Sequence, residues 1–276
     1  MSSRRFILTT AALAAFASAS AAQNAGPPSS FEAFEVATVK PTPPEETGIN
    51  KGRFIRMQSA HRLQAKNYTV EGLIAAAYDL NPKMISGGPA WAQTDRYDVI
   101  AATPGELRPS YDDQMRMLRT LLTDRFSLRF HRKKEEFAVF ELTVAKNGPK
   151  LKPSTAPPGE PYNVTTTIYP AASGGIDHAL LPAHNITTQQ FASVLQRAIL
   201  DRPVVDNTQL TGRYDFDLEW TPDETNFGGT LPQGPPDSAR PGLFAAMQQQ
   251  LGLRVEATRG RIDTLVIDGL ARPSDN

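Results

Sequence analysis

Two stretches of the chain repeat each other in the same order and with nearly the same spacing. Residues 63–77 (LQAKNYTVEGLIAAA) align with residues 181–195 (LPAHNITTQQFASVL) at an offset of 118. Residues 95–101 (DRYDVIA) align in turn with the start of residues 212–220 (GRYDFDLEW) at an offset of 117. Self-similarity at a nearly fixed offset is the mark of a repeated structural unit. The pattern therefore predicts an internal duplication, and it restricts the fold to one with two similar halves.

Each repeat reads as a strand, a capped helix, a second strand, a second helix and two closing strands. Thr187 and Gln190 form a capping-box pattern at the start of a helix. In residues 212–220 apolar and polar side chains alternate strictly, which is typical of a half-buried strand. The closing strands are FSLRFH and FAVFELTV in one repeat, and LGLRVEA and DTLVIDGL in the other. The sequence thus predicts an α+β fold of two tandem homologous units, each roughly β-α-β-α-β-β, with helices packed on a mostly antiparallel sheet.

A dense run of charge, from His131 to Glu136 (HRKKEE), separates the closing strands of the first repeat. A basic turn that contacts a polyanion is one interpretation. Because two acids follow the basic residues at once, we interpret the run as the solvated end of a hairpin.

Composition changes along the chain predict the domain boundaries. We expect a signal peptide at residues 1–22, a first α+β unit at 31–152 and a second at 181–276. Residues 153–180 are rich in proline and lack periodicity, which predicts a linker. A second irregular stretch, residues 221–241, predicts a mobile loop inside the second unit.

The first residues have the pattern of an export signal. Arg4 and Arg5 precede the short apolar run Phe6–Phe16, and small residues that suit a cleavage site follow. The paired arginines fit either the general secretory route or the twin-arginine route. We therefore expect an exported protein, periplasmic or secreted, with no transmembrane segment once the signal is removed.

Charge and cysteine content exclude several classes of function. The 29 basic and 29 acidic residues cancel and are spread along the chain, so we expect no nucleic-acid partner. The chain has no cysteine, which excludes disulfides, thiolate metal sites and a cysteine nucleophile. An exported protein of this kind depends on its hydrophobic core for stability.

No motif in the sequence carries recognisable catalytic chemistry. The four histidines have no metal-ligand spacing, and no metallopeptidase, nucleophile-elbow, phosphate-loop or dinucleotide pattern occurs. The sequence therefore predicts no metal and no cofactor and identifies no catalytic residue, and it favours a protein that is not an enzyme.

The best candidate binding residues lie at equivalent positions of the two repeats. They are Arg96 and Asp98 in the first repeat, Arg213 and Asp215 in the second, and Trp91 after a glycine turn. In the structural interpretation each Arg and Asp pairs with its partner or with a neighbouring strand, and Trp91 is a buried turn residue. In the functional interpretation the same five residues contact a ligand.

A hydrolase is the alternative to a binding protein. It would need acids that converge only in three dimensions, with Asp98, Asp215 and Glu219 as the candidates, assisted by Tyr97. The duplication motivates this hypothesis because equivalent strands could bring Asp98 close to Asp215.

Ordered blocks of the chain resemble an uncharacterised exported family that is greatly expanded in Acidobacteria. The blocks are FEVATVKPT, the capped helix after Asn-x-Thr, GGPAW with DRYDV, LLTDRFSLRFHR, ELTVAKNGPKLKPS, RPVVDNTQLTGRYDFDLEWTPD and LVIDGLARPSDN. The resemblance runs from about Phe34 to Asn276 and implies a domain of unknown function, without catalytic residues to carry over. In some relatives a similar region is joined to membrane metallopeptidase sensors of the beta-lactam-receptor type, but this chain contains no such segment. A weaker similarity, to the short α+β modules that precede secretins and outer-membrane transporters, covers only part of each repeat.

We therefore expect an exported, non-enzymatic binding or interaction module of the bacterial envelope. Its partner would be an envelope protein, a peptide or a glycan, bound where the two halves meet and at the two long loops. A purely structural envelope protein without a ligand is the third hypothesis.

Overall fold

The computed structural model describes residues 31–47, 52–105, 108–172, 174–229 and 240–273. The predicted signal peptide lies outside the described residues, as does the part of the predicted mobile loop at 230–239. No helix in the described ranges has both the length and the apolar character needed to cross a membrane.

The first sheet has four strands, all paired antiparallel. Its spatial order is β1 (Val36–Pro41), β5 (Arg96–Ala102), β3 (Arg62–Thr69) and β2 (Phe54–Ser59). The alternation seen in the sequence is reproduced in β5, because Tyr97, Val99 and Ala101 are buried between more exposed neighbours. This face of β5 forms the floor of the first hydrophobic core.

The second sheet repeats the order of the first. It runs β7 (Lys152–Pro153), β12 (Tyr214–Trp220), β10 (Ile176–Ile186) and β8 (Asn163–Val164), and β9 (Thr167–Pro170) also pairs with β10. All of these pairs are antiparallel. Three of the short strands and the start of β10 therefore lie in or at the border of the segment predicted as a linker.

Helices pack against the first and second sheets, and their polar caps follow from the sequence. In the first half α1 (Val70–Ala77) packs against α3 (Tyr111–Phe126), with α2 (Trp91–Thr94) beside α1. In the second half α4 (Thr188–Val194) continues as the π-helical turn Leu195–Ile199, and α5 (Leu243–Ala246) continues as Met247–Leu251. The predicted capping box of Thr187 and Gln190 is confirmed. Short 3-10 turns occupy Pro44–Glu46, Pro82–Met84 and Phe227–Gly229.

The closing strands differ from the prediction. Each predicted pair of strands is one long strand, β6 (Arg129–Val144) and β13 (Leu253–Gly269), and the two pair antiparallel along almost their whole length. The interpretation of His131 to Glu136 as a hairpin end is therefore wrong. These residues lie within β6, and most are exposed because this part of the ladder lies between the two cores. We call the β6–β13 pair the ribbon.

The ribbon exchanges side chains between the two halves. Beyond the charged run, Phe140 and Leu142 of β6 are buried in the second core. Leu265 and Ile267 of β13 return to the first core. Each core is thus completed by a strand that begins in the other half of the molecule.

The pair Glu136–Arg261 lies at the middle of the ribbon's ladder. The edge strand β11 (Val204–Asp206) runs parallel to β6 near Phe140, and β4 (Ile85–Gly87) runs parallel to β13 near Leu265. The predicted α+β class is confirmed, and the sheets are mainly antiparallel with these two parallel edges.

Candidate functional site

The repeated Asn-x-Thr of the sequence places an asparagine at a bulge in each sheet. The β3–β5 register shifts between Ala65 and Tyr68, and the β10–β12 register shifts between Ala183 and Ile186. Asn67, in the first bulge, has φ 58°, and its counterpart in the second has φ 55°. Asparagine enters this left-handed region more readily than other non-glycine residues.

Arg96 and Asp98 hold the first bulge through its main chain. A carboxylate oxygen of Asp98 accepts hydrogen bonds from the Asn67 amide at 2.9 Å and from the Thr42 hydroxyl at 2.7 Å. Arg96 Nη1 donates to the Asn67 carbonyl at 2.8 Å. The Arg-x-Asp pattern is therefore a brace that satisfies both main-chain groups of a buried residue.

Arg213 and Asp215 form the same brace in the second half. Asp215 accepts from the Asn185 amide at 2.8 Å, and Arg213 Nη1 donates to the Asn185 carbonyl at 2.7 Å. Burial opposes ionisation of Asp215, but hydrogen bonds from Asn185 and Ser154 and the nearby His184 outweigh it and lower the pKa of the carboxyl. The echoed tripeptide thus has the same structural role in both halves.

The two braces face different cavities. Asn67 and Arg96 line a cleft where the two halves meet, with a volume of about 1040 Å³. Asn185 and Arg213 line a cavity of about 280 Å³ beside the proline-rich residues 156–162. The side-chain amide of Asn185 donates to the carbonyl of Glu160, so the proline-rich segment lies directly on the second brace.

A partly buried polar cluster joins the halves beside the cleft. Asp79, in the left-handed region just after α1, forms an ion pair with Arg197 at 2.8 Å and accepts a hydrogen bond from the Ser193 hydroxyl. Gln196 Nε2 donates to the Asp79 carbonyl at 2.8 Å. Arg197 also donates to the hydroxyl of Tyr111. Burial raises the pKa of Tyr111, against the opposing charge of Arg197, so the phenol stays protonated and accepts this hydrogen bond.

The cleft walls carry more positive than negative charge. The cationic residues are Arg53, Lys83, Arg96, Arg197 and Arg202, and the acids are Asp201 and Glu224. Three of the cations have carboxylate partners: Lys83 and Arg202 lie 3.4 Å and 3.5 Å from Asp201, and Arg197 is paired with Asp79.

Arg53 and Arg96 have a different environment. Across the described ranges, neither guanidinium lies within 4.0 Å of a carboxylate. Arg53 lies over the ring of Tyr68, 5.2 Å from its centroid. Asn67 links the two arginines. Arg96 donates to the Asn67 carbonyl, and the side-chain amide of Asn67 donates at 3.4 Å to the carbonyl of Gly52, the residue before Arg53.

Aromatic side chains from the ribbon and from α5 line the same cleft. Phe244 of α5 lines the cleft and is 39% exposed. Its ring meets the edge of Phe140 with centroids 5.3 Å apart, and Arg202 lies 5.2 Å from the Phe140 centroid. The cleft therefore combines cationic and apolar walls, which is typical of sites for organic ligands.

Of the five predicted binding residues, the structure places only Arg96 in this cleft. Arg213 lines the smaller cavity, and Asp98 and Asp215 are engaged in the braces. Trp91 instead contacts the C-terminal segment. Arg272 lies 5.0 Å from the centroid of the Trp91 ring and forms an ion pair with Asp95 at 2.8 Å.

The residues of the hydrolase hypothesis are not brought together by any described contact. Asp98 and Asp215 lie in different sheets, each bound to its own bulge. Tyr97 is buried with its ring 5.4 Å from Phe126, and Glu219 pairs with Arg240 at 2.7 Å. Within the described ranges, no group of three or more His, Asp or Glu residues is arranged to hold a metal ion.

Sequence reasoning did not find Arg53, Lys83, Arg202 or Phe244. These residues come from four separate segments and share no sequence motif, so no local pattern could group them. The apolar wall is recognised only from the exposure of Phe244 in the folded chain.

The family model for a protein of unknown function, DUF3738, matches residues 71–270. The chain belongs to the DUF3738 family. The matched residues include Asp98 and Asp215 of the two braces, the ribbon and most of the residues that line the cleft. No protein of curated function and no solved structure matches the chain.

Proposed function

We propose that this DUF3738 protein is an exported, non-enzymatic binding module of the cell envelope. We further propose that it is made of two homologous units, residues 31–152 and 181–276, which close a ligand site between them. Its ligand would come from the envelope, as a peptide, a glycan or part of an envelope protein.

The shared construction of the halves supports the duplication. Both sheets have the same spatial order of strands, and both place an Arg-x-Asp brace on a left-handed asparagine. Lys40 and Pro41 pair with Asp98 and Tyr97, as Lys152 and Pro153 pair with Asp215 and Tyr214. A copied folding unit accounts for these matched registers in one step.

The single observation that carries the binding function is the cleft of about 1040 Å³ between the two cores. Its volume is in the range of sites for organic ligands, and it combines charged and apolar walls, as such sites do. The polar cluster around Asp79 fixes the two halves beside it, so the walls are held in place without a ligand.

A cleft-filling variant with a matched control tests the proposal. Ala257 and Ala138 are both exposed residues of the ribbon, but only Ala257 lines the cleft. Purified wild type, Ala257→Trp and Ala138→Trp would be incubated with an extract of cell envelopes that contains their peptides, glycans and solubilised proteins, then repurified and examined by native mass spectrometry. We expect wild type and Ala138→Trp to retain the same bound mass and Ala257→Trp to lose it. A wild-type protein that retains no ligand, or a ligand equally retained by Ala257→Trp, would contradict the function. Cell fractionation tests export separately.

A further inference from the structure

The cleft presents two arginines that have no carboxylate of the described chain within 4.0 Å. Arg53 and Arg96 both line it, while its other three cations are paired with Asp201 or Asp79. A guanidinium offers five N–H donors. Arg96 spends one nitrogen on the Asn67 carbonyl, and Arg53 uses the face of its group on Tyr68. Donors therefore remain on both groups beside the cleft.

The two arginines are also pre-organised. Asn67 is 1% exposed, and it ties Arg96 to the segment that carries Arg53 through hydrogen bonds to Arg96 and Gly52. Arg53 is further held against the Tyr68 ring. A ligand that binds both groups loses less side-chain entropy than one that binds two mobile arginines.

The apolar wall indicates what is attached to the charged group. Phe244 is 39% exposed in the cleft and meets the edge of Phe140, which is itself 6% exposed. Covering the exposed ring with an apolar group of the ligand removes hydrocarbon surface from water. Neither wall alone would select a compound that carries both features.

We infer that the cleft binds an organic anion, in which a carboxylate or phosphate contacts Arg53 and Arg96 and an apolar body covers Phe244. The inference rests on the proposed binding function and specifies the chemistry of its ligand. Arginine suits this role because its planar donors match the oxygens of carboxylates and phosphates in pairs.

Three probes separate the two anionic groups from the apolar body. The probes are 4-phenylbutyrate, 4-phenylbutyl phosphate and uncharged 4-phenylbutan-1-ol, which share one apolar body, each titrated into ¹⁵N-labelled protein and followed by amide chemical shifts. We expect one or both anions to shift amides around the cleft and to bind at least about tenfold more tightly than the alcohol, the scale of one charge-assisted hydrogen bond. The anion that binds more tightly identifies the class of group.

Variants assign the effect to the cleft. We expect Arg53→Gln and Arg96→Gln to weaken the preferred anion about tenfold or more, and Phe244→Ala to weaken both the anion and the alcohol. Arg213→Gln is the matched control, because Arg213 makes the same brace in the other half but does not line the cleft. It should leave affinity within about twofold of wild type, which separates loss of a brace from loss of a ligand contact.

The outcomes are distinct. An alcohol that binds in the cleft as tightly as the acids, or anion binding that is equally weakened by Arg213→Gln, overturns the inference and leaves the binding function standing. No shift of the cleft amides by any probe at millimolar concentration also overturns it. In that case the retention of an envelope ligand by wild type and Ala138→Trp, but not by Ala257→Trp, still decides whether the protein is a binding module.

Discussion

Removing the Asp98 carboxylate tests whether the echoed tripeptide is a structural brace. In Asp98→Ala the amide of Asn67 loses its acceptor in a site that is 1% exposed, and the hydroxyl of Thr42, 6% exposed, loses its acceptor too. An unsatisfied buried donor costs about 1–3 kcal/mol. With the second donor, the Thr42 hydroxyl, included, we expect the free energy of unfolding to fall by about 2–4 kcal/mol.

Urea denaturation followed by circular dichroism measures this change. Asp98→Asn keeps an acceptor oxygen of the same shape, so it should lose less stability than the alanine variant. Asp215→Ala should resemble Asp98→Ala, because it leaves the buried amide of Asn185 unsatisfied. Asp217→Ala, at an exposed site of β12, is the control and should change stability by less than about 0.5 kcal/mol. If Asp98→Ala behaves like Asp217→Ala, the brace does not stabilise the fold and the reasoning is refuted.

Two further predictions concern acid stability and a tight approach of the main chain. Because the folded state lowers the pKa of Asp215, its contribution to stability is present above the ordinary carboxyl range, about pH 4, and is lost as pH falls through the lower folded value. Unfolding measured from pH 7 to pH 3 should show a smaller acid loss in Asp215→Asn than in wild type, and parallel curves would count against this pKa shift. Gly252 caps the C-terminal end of the helix that continues α5, with φ 65°, and a Cβ at this position would overlap the carbonyl oxygen of Gly148. Gly252→Ala should therefore lose more stability in thermal unfolding than Gly228→Ala, which has φ 68° but open space around it, and equal losses would show that the overlap is relieved.

Local patterns in the sequence predicted much of the fold. The capping box at Thr187 and the alternating burial of β5 depend on residues close together in the chain, and both are confirmed. The left-handed C-cap at Gly252 follows equally from local chemistry. These features could be predicted because their hydrogen bonds and their buried faces lie within one element.

The ribbon could not be predicted from local pattern. Residues 131–136 are polar because that part of β6 spans the gap between two cores, and a solvated strand has the same composition as a turn. The same ambiguity affects 153–180, where strands of two to four residues are too short to show a period.

The candidate site depends on long-range geometry still more strongly. Arg96 was found through the repeat, but its role follows from a bulge at Asn67, 29 positions away in the chain. The repeated asparagine before each N-cap threonine was the available signal, since asparagine favours the left-handed region. Arg53 and Phe244 line one cleft because the ribbon and the cluster around Asp79 hold the halves together.

Separating the two halves tests most directly whether they form one cooperative body around the cleft. Residues 31–147 would lack Leu265 and Ile267 of the first core, and residues 148–276 would lack Phe140 and Leu142 of the second.

Each of these buried side chains contributes about 1.5–3 kcal/mol, a large part of the 5–15 kcal/mol that stabilises a typical domain. Amide spectra of ¹⁵N-labelled halves should therefore lack dispersion when each half is alone and should regain the spectrum of the intact protein when the halves are mixed. A dispersed, cooperatively melting spectrum from either half alone would contradict the shared ribbon and the cleft that it helps to form.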